Sequence, residues 1–288
     1  MSRYDIAIIG GGILGSSISY WLSSLYDVNL CVIEKEPSVA MHASSRNTGV
    51  VHSPFYLNPK TKKVLAKSAL ISYEMWEKLA KEANVPWNKT GVLELALNED
   101  QHKSLEEYMQ WGDENGIPSD DLELLDEKQV SKMEPNVKCH SAIFCKREIS
   151  SDFGAFTNAI KKESEKHGTN FLLEKNVKEI KRNEKDSTII FNNGENISAN
   201  LVINCAGGNS LDIAKMLGLA TEYSDLHFRG EYWIADPQYN DLVNTTIYTV
   251  AEFKGYPFLD PHWIKKANGQ SEVGPNAVPV PSPETYEG

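Results

Sequence analysis

The sequence predicts an α/β chain, α+β overall: an open sheet of strand–helix–strand units joined to a second, mainly antiparallel β domain. Three observations predict it. Residues 4–9 are a short apolar run ending in Gly10-Gly11-Gly12-Ile13-Leu14-Gly15, so a buried strand turns through glycines into a helix. Leu201-Val202-Ile203-Asn204-Cys205 is a second apolar strand, running into Ala206-Gly207-Gly208 and a helix over 210–217. Residues 92–97, 176–180, 187–191, 227–234 and 245–248 carry extended patterns separated by turn residues, and read as further strands, those beyond 220 antiparallel.

The first turn carries the most chemistry. Gly10, Gly12 and Gly15 fill all three positions of G-x-G-x-x-G between a strand and a helix, and strand 28–33 closes on Glu34. Each part has a physical role in a Rossmann-like dinucleotide site. Gly10 permits the tight turn, Gly12 leaves room for a pyrophosphate at the backbone, and Gly15 lets helix and strand pack closely. The helix N-terminus, with its free N–H groups and partial positive charge, suits a phosphate. Glu34 follows the glycines at the ~20-residue spacing at which a carboxylate accepts hydrogen bonds from an adenosine ribose. NAD and FAD fit this turn equally well.

Composition narrows the remainder. A chain of 288 residues with 41% hydrophobic and 24% charged content has the make-up of a soluble globular protein of one complex or two ordinary domains. Its net charge of −11 argues against nucleic acid as a partner. Cys31, Cys139, Cys145 and Cys205 show no C-x-x-C spacing and read as free thiols, with neither a disulfide framework nor a zinc site. No apolar run reaches the ~18–20 residues of a membrane span. The N-terminus enters its first strand at once, leaving no room for a signal peptide. A cytoplasmic location is expected, with peripheral contact at the inner face of a membrane left open.

After Glu34 and Lys35, residues 40–53 are small and polar, rich in Ser, Asn and Gly, and suited to wrapping a ligand with backbone and hydroxyl donors. Apolar residues at three- and four-residue spacings predict a helix over 59–84, and another covers 99–115, ended by Gly116 and Pro118. A short strand and a helix occupy 122–133, with Asp126 as N-cap. Strand 142–145, helix 156–167 and strand 170–174 follow. The expected domains are 1–79 and 149–219 for nucleotide binding, and 80–148 and 220–288 for the second, substrate-side part. The last ten residues show no obvious way to continue a fold.

At this point the residues resemble a known group. A nucleotide-binding start, a Ser/Asn/Gly loop past the acidic strand end and a late strand ending in Cys205-Ala206-Gly207 resemble the D-amino-acid-oxidase-like FAD-dependent oxidoreductases. Arg46-Asn47-Thr48-Gly49-Val50-Val51-His52 is similar to the L-2-hydroxyglutarate dehydrogenase/oxidase branch. So are Phe228-Arg229-Gly230-Glu231-Tyr232, Pro257-Phe258-Leu259-Asp260-Pro261-His262 and Val273-Gly274-Pro275-Asn276-Ala277. The resemblance runs in order from residue 4 to about residue 278.

The resemblance implies a Rossmann-like FAD-binding domain and a mainly antiparallel β substrate domain. FAD would touch Gly10, Gly12, Ile13, Leu14, Gly15, Glu34, Lys35, Ser44, Ser45, Arg46, Asn47, Thr48, Gly49, Val50, Val177, Ala206 and Gly207. A small anionic 2-hydroxy acid, L-2-hydroxyglutarate first, would be oxidised to the 2-oxo acid by hydride transfer to flavin. Electrons would pass to a quinone or another acceptor. His52 and His262 are the candidate bases, because a group titrating near neutrality suits the hydroxyl proton. Arg229 could bind the substrate carboxylate through its planar fork, with Tyr232 beside it, or pair with Glu231. Malate, glycerol 3-phosphate, an amino acid or a secondary amine are alternative substrates. Family members continue past the position of Gly288, so a truncated, non-catalytic dinucleotide-binding fragment is the alternative from another class.

Overall fold

In a computed structural model, residues 2–252 and 261–287 are described. The chain forms two compact units: Met1–Asn47 with Phe153–His227 and Val280–Gly288, and Thr48–Asp152 with Phe228–Pro279.

The first unit is built on a six-stranded sheet in the order Asn170–Leu172, Leu30–Ile33, Ser2–Ile9, Asn196–Asn204, Ser187–Phe191, Val177–Arg182. The first four strands are parallel; the last three form an antiparallel meander. Asn196–Asn204 serves both parts, running parallel to Ser2–Ile9 and antiparallel to Ser187–Phe191. Side chains alternate across the sheet. Ile8, Leu30 and Val32 pack with Ile18 and Leu22 of helix Ile13–Leu25 on one side, while Ala7, Ile9, Cys31 and Ile33 meet Ile180, Ile189, Phe191 and Ile213 on the other. Helix Ile13–Leu25 packs closely on helix Phe153–Lys166 because the contact is made of small residues. Ser19 and Ser164 are both buried, and their hydroxyls lie 2.8 Å apart.

The second unit has a seven-stranded sheet, in the order Trp233–Ile234, Ser271–Gly274, His262–Lys265, Thr246–Thr249, Val92–Ala96, Ser141–Cys145, Leu122–Asp126. Its one parallel pairing is Thr246–Thr249 with Val92–Ala96. Both faces of the central Val92–Ala96 strand are covered, so its alternating sequence is buried throughout, Glu94 included. Helix Glu99–Asn115 is capped by Asn98, whose Oδ1 accepts the Gln101 N–H at 3.0 Å, and ends at Gly116 in the left-handed region. Asp126 and Gln129 form a capping box on helix Glu127–Met133. A short ladder pairs Val50 with Ser150 and Val51 with Ile149.

Several boundaries differ from the expected ones. The units divide after Asn47 and Asp152, not near 79 and 148, because residues 48–57 are bound into the second unit by the Val50–Val51 ladder and by Phe55, which is buried with Leu105 and Ile117. The helix expected over 59–84 is Lys63–Ala83 and belongs there too. The expected strand 227–234 breaks at Gly230 into His227–Arg229 and Trp233–Ile234. Strands His262–Lys265 and Ser271–Gly274 had no expectation. The last residues, Val280–Gly288, join the first unit rather than the second.

One buried acid organises a loop of the second unit. Glu134 is 1% exposed, and its Oε1 accepts from Asn244 N (2.9 Å), Thr245 N (2.8 Å) and Thr245 Oγ1 (3.0 Å). Glu134→Ala removes a shared charged acceptor and leaves buried donors unpaired. Urea unfolding is expected to show a loss of roughly 2–3 kcal/mol; a loss below ~0.5 kcal/mol, the size of an ordinary surface change, would contradict this role.

Candidate functional site

In the first unit, a cavity of about 400 Å3 lies at the carboxyl ends of the parallel strands, with Ile9 and Ile33 in its wall. The glycine turn shapes it. Gly10 has φ +110°, and a Cβ there would lie 2.2 Å from the Cys205 carbonyl oxygen; at Gly15 a Cβ would lie 2.0 Å from the Gly10 carbonyl oxygen. These two positions therefore exclude side chains. Glu34 is 8% exposed, its Oε2 accepting from Gly11 N (2.7 Å) and its Oε1 from Glu36 N (3.0 Å). Each oxygen keeps a further lone pair. Ser44 Oγ accepts the Ile13 N–H at 2.9 Å, tying the polar loop to the helix start.

Of the residues expected to touch a cofactor, Gly10, Gly12, Glu34, Lys35, Ser44, Val177, Ala206 and Gly207 line this cavity. Others serve its frame: Ser45 Oγ donates to His42 O, Arg46 Nε to Met41 O, and Asn47 Nδ2 to Ala43 O and Ser44 O. The Leu14 side chain is 67% exposed. Thr48, Gly49 and Val50 belong to the second unit, where Gly49 O accepts the Ser151 N–H at 2.7 Å and a Cβ on Gly49 would lie 2.2 Å from Ser151 O. A side-chain-free turn, a helix start and a buried carboxylate with spare lone pairs suit the pyrophosphate and ribose of FAD.

The closing residues of the chain, unplaced by sequence, form part of the same wall. Glu284 pairs with Lys35 and accepts from Asn209 Nδ2 at 2.7 Å. The Tyr286 hydroxyl lies 3.0 Å from His42 Nδ1, and the Arg46 guanidinium sits 4.1 Å above its ring. Pro283 lies where a Cβ on Gly208 would be, at 2.4 Å.

The second unit gathers the expected chemical groups around one ring, Tyr248. His262, 6% exposed on strand His262–Lys265, meets it edge-on at 4.7 Å between centroids, and His52 lies against it at 5.9 Å. Tyr232 is 6.0 Å from His262 and Tyr56 is 6.2 Å from His52. His52 Nδ1 is 3.2 Å from Glu148 Oε2; the imidazole is 40% exposed and the Glu148 side chain fully buried. Glu148 Oε1 accepts the Ser53 N–H at 2.7 Å. Burial acts against charge on His52, but the charge and hydrogen bond of Glu148, with the charge of Glu94, outweigh it and raise its pKa. Glu94, 8% exposed, is pushed up to about 8 by burial and then by Glu148.

Arg229 is engaged as the pairing alternative has it. One guanidinium nitrogen is 2.5 Å from Glu231 Oε1, and hydrogen bonds from Asn276 and Arg229 hold the Glu231 carboxyl below the usual range. Asn276 donates to Glu231 Oε2 and accepts from Glu231 N, both at 3.0 Å, so the 228–232 and 273–277 motifs meet. The other terminal nitrogen, Nη1, is buried without a hydrogen bond among the described residues. Residues 257–260 of the third motif lie outside the described residues.

Glu148 escaped the sequence reading because Lys146-Arg147-Glu148 looks like a solvated charge run, and Glu94 because it alternates within strand 92–97 as an outward-facing residue would. Cys31 and Cys145 are free thiols pushed up to about 12 by burial. Among the described residues, no cluster of His, Cys, Asp or Glu is arranged to hold a metal, and no helix is long and apolar enough to cross a membrane.

A glycine turn and a buried carboxylate at the strand ends define a dinucleotide-binding α/β protein. Residues 5–287 match the FAD dependent oxidoreductase family, DAO, and the chain belongs to it; FAD is the cofactor of that family. The chain is 30% identical over 99% of its length to the mitochondrial L-2-hydroxyglutarate dehydrogenase of Caenorhabditis briggsae, covering 66% of that protein. It is 28% identical to the L-2-hydroxyglutarate dehydrogenase of Escherichia coli K12, over 96% of the chain and 64% of the relative. The human mitochondrial enzyme of that name is also 28% identical, over 96% and 61%. The chain thus spans just under two thirds of the length of these relatives. In fold it is similar to an L-alpha-glycerophosphate oxidase from Mycoplasma pneumoniae with FAD bound, with a TM-score of 0.84 at 22% identity over 100% of this chain and 75% of the other. A glycine oxidase from Geobacillus kaustophilus follows at 0.78 and 20%, over 97% and 72%.

Proposed function

We propose that the protein oxidises L-2-hydroxyglutarate, or a close 2-hydroxy acid, to the 2-oxo acid and passes the electrons to a quinone or another acceptor. The observation that carries this reading is the placement of His52 and His262, distant in sequence, against the one Tyr248 ring. The relatives named L-2-hydroxyglutarate dehydrogenase support the choice of substrate.

In this reading Gly10, Gly12, Glu34, Ser44, Val177, Ala206 and Gly207 hold FAD, which supplies the hydride acceptor when bound. His52 receives the substrate hydroxyl proton. Its exposed imidazole meets substrate while Glu148 backs it. The buried Nη1 of Arg229, without a hydrogen bond among the described residues, serves a substrate carboxylate, and Tyr232 and His262 bound the same group of side chains.

The test is anaerobic mixing of FAD-loaded protein with L-2-hydroxyglutarate. Bleaching of the flavin absorbance, with 2-oxoglutarate formed in equal amount, is expected. Bleaching by glycerol 3-phosphate, malate or an amino acid and not by L-2-hydroxyglutarate would overturn the substrate. A chain that cannot be loaded with FAD would overturn the activity.

A further inference from the structure

The fold delivers Glu148 to His52 by register. Val51 pairs with Ile149 and Val50 with Ser150 in an antiparallel ladder. The next rung outward sets residue 52 opposite residue 148, and cross-strand neighbours on one face interact directly. The side chains meet there, His52 Nδ1 to Glu148 Oε2 at 3.2 Å. The carboxylate is fully buried and the imidazole partly exposed. The remaining titratable groups facing His52 are Glu94, Tyr56 and Tyr248.

We infer that Glu148 is a positioning residue for the base: its carboxylate accepts from the Nδ1–H of His52, fixes the imidazole and leaves Nε2 as the atom that accepts the substrate proton. The inference rests on the proposed oxidation of a 2-hydroxy acid. The O–H bond of the substrate breaks toward Nε2 as the C2 hydrogen leaves with two electrons for the flavin, and C–O becomes C=O. The resulting imidazolium then faces a buried carboxylate. Such a carboxylate sets the tautomer of a histidine base rather than receiving the proton itself.

The test uses FAD-loaded full chain. In the wild type, nitrogen-15 NMR is expected to show neutral His52 protonated on Nδ1; protonation on Nε2 would overturn the inference without any variant. In Glu148→Gln the shape and the acceptor for Ser53 N–H are kept while the charge is lost. The His52 titration midpoint is expected to fall by about one unit or more, and the pH at half-maximal flavin reduction to fall with it. Glu148→Asp is expected to restore part of both shifts. A folded Glu148→Gln protein with an unmoved His52 midpoint would overturn the inference, as would a moved midpoint with an unchanged rate and pH profile. If wild-type flavin is not reduced by L-2-hydroxyglutarate while the tautomer and midpoint behave as expected, the substrate reading fails and the His52–Glu148 pairing stands.

Discussion

Replacing His52 with glutamine is expected to slow flavin reduction by L-2-hydroxyglutarate about 10²–10⁴-fold, the range lost with a general base. Glutamine keeps a polar side chain of similar reach beside Glu148 but has no nitrogen lone pair that titrates near neutrality. The effect should fall on the reduction step and spare FAD affinity, because the cofactor cavity is lined by the first unit and His52 belongs to the second. The pH dependence gives a second signature. His52 is raised above its ordinary 6.5 by Glu148 and Glu94 against the opposing effect of burial. The base is active when deprotonated, so wild-type reduction should climb through a midpoint above 6.5 as pH rises. His52→Gln should lack that limb. Stopped-flow reduction within tenfold of wild type across the pH range would remove His52 from the mechanism and leave His262 as the candidate.

Gly10→Ala is expected to lower stability and abolish FAD retention together. The residue sits at φ +110°, and its new Cβ would lie 2.2 Å from the carbonyl oxygen and 2.7 Å from the carbonyl carbon of Cys205. Both obstacles are main chain just past the end of the parallel strand Asn196–Asn204, so neither can swing aside as a flexible side chain could. Left-handed backbone alone costs a non-glycine residue about 1–2 kcal/mol, and the clash adds to it. A total of at least ~2 kcal/mol corresponds to a melting point lower by about 4–8 °C. Gly207→Ala is the control. Gly207 also has positive φ, at +58°, but a Cβ there meets nothing within 4 Å, so only the backbone strain should appear. Equal melting points and FAD affinities for Gly10→Ala and wild type would refute this account of the turn.

What could be read in advance had a local cause. The glycine turn, the Asp126 cap and the start of the Glu99–Asn115 helix are each set by residues within a few positions of one another, and the structure forms all three. The acids that matter most were hidden for the opposite reason. Glu94, Glu134 and Glu148 look solvated in sequence, and burial comes to them only from strands far along the chain. Tyr248 is the Cα partner of Glu94 across a parallel pairing that no local pattern predicts. The domain boundary differs for the same reason: residues 48–53 continue a polar loop, and it is the partner segment at 149–150 and the burial of Phe55 that assign 48–57 to the second unit. Arg229 was legible as a charged group in a motif, but whether it pairs or stays open depended on Asn276 bringing Glu231 into line.

The shared strand Asn196–Asn204 also bears on how the chain comes off the ribosome. Ser2–Ile9 is made before the other strands of its sheet, yet one of its two parallel neighbours is Asn196–Asn204, far later in the sequence. At ~5–20 residues per second, that edge waits roughly 10–40 s for its partner. Meanwhile Val92–Ala96, Ser141–Cys145 and Leu122–Asp126 need only each other and the adjacent helix Glu99–Asn115 to begin pairing. Local contacts form sooner than distant ones. The unit that begins at Thr48 therefore starts to fold while the unit holding Ser2–Ile9 is still incomplete, and an unpaired parallel edge is open to wrong partners throughout that interval.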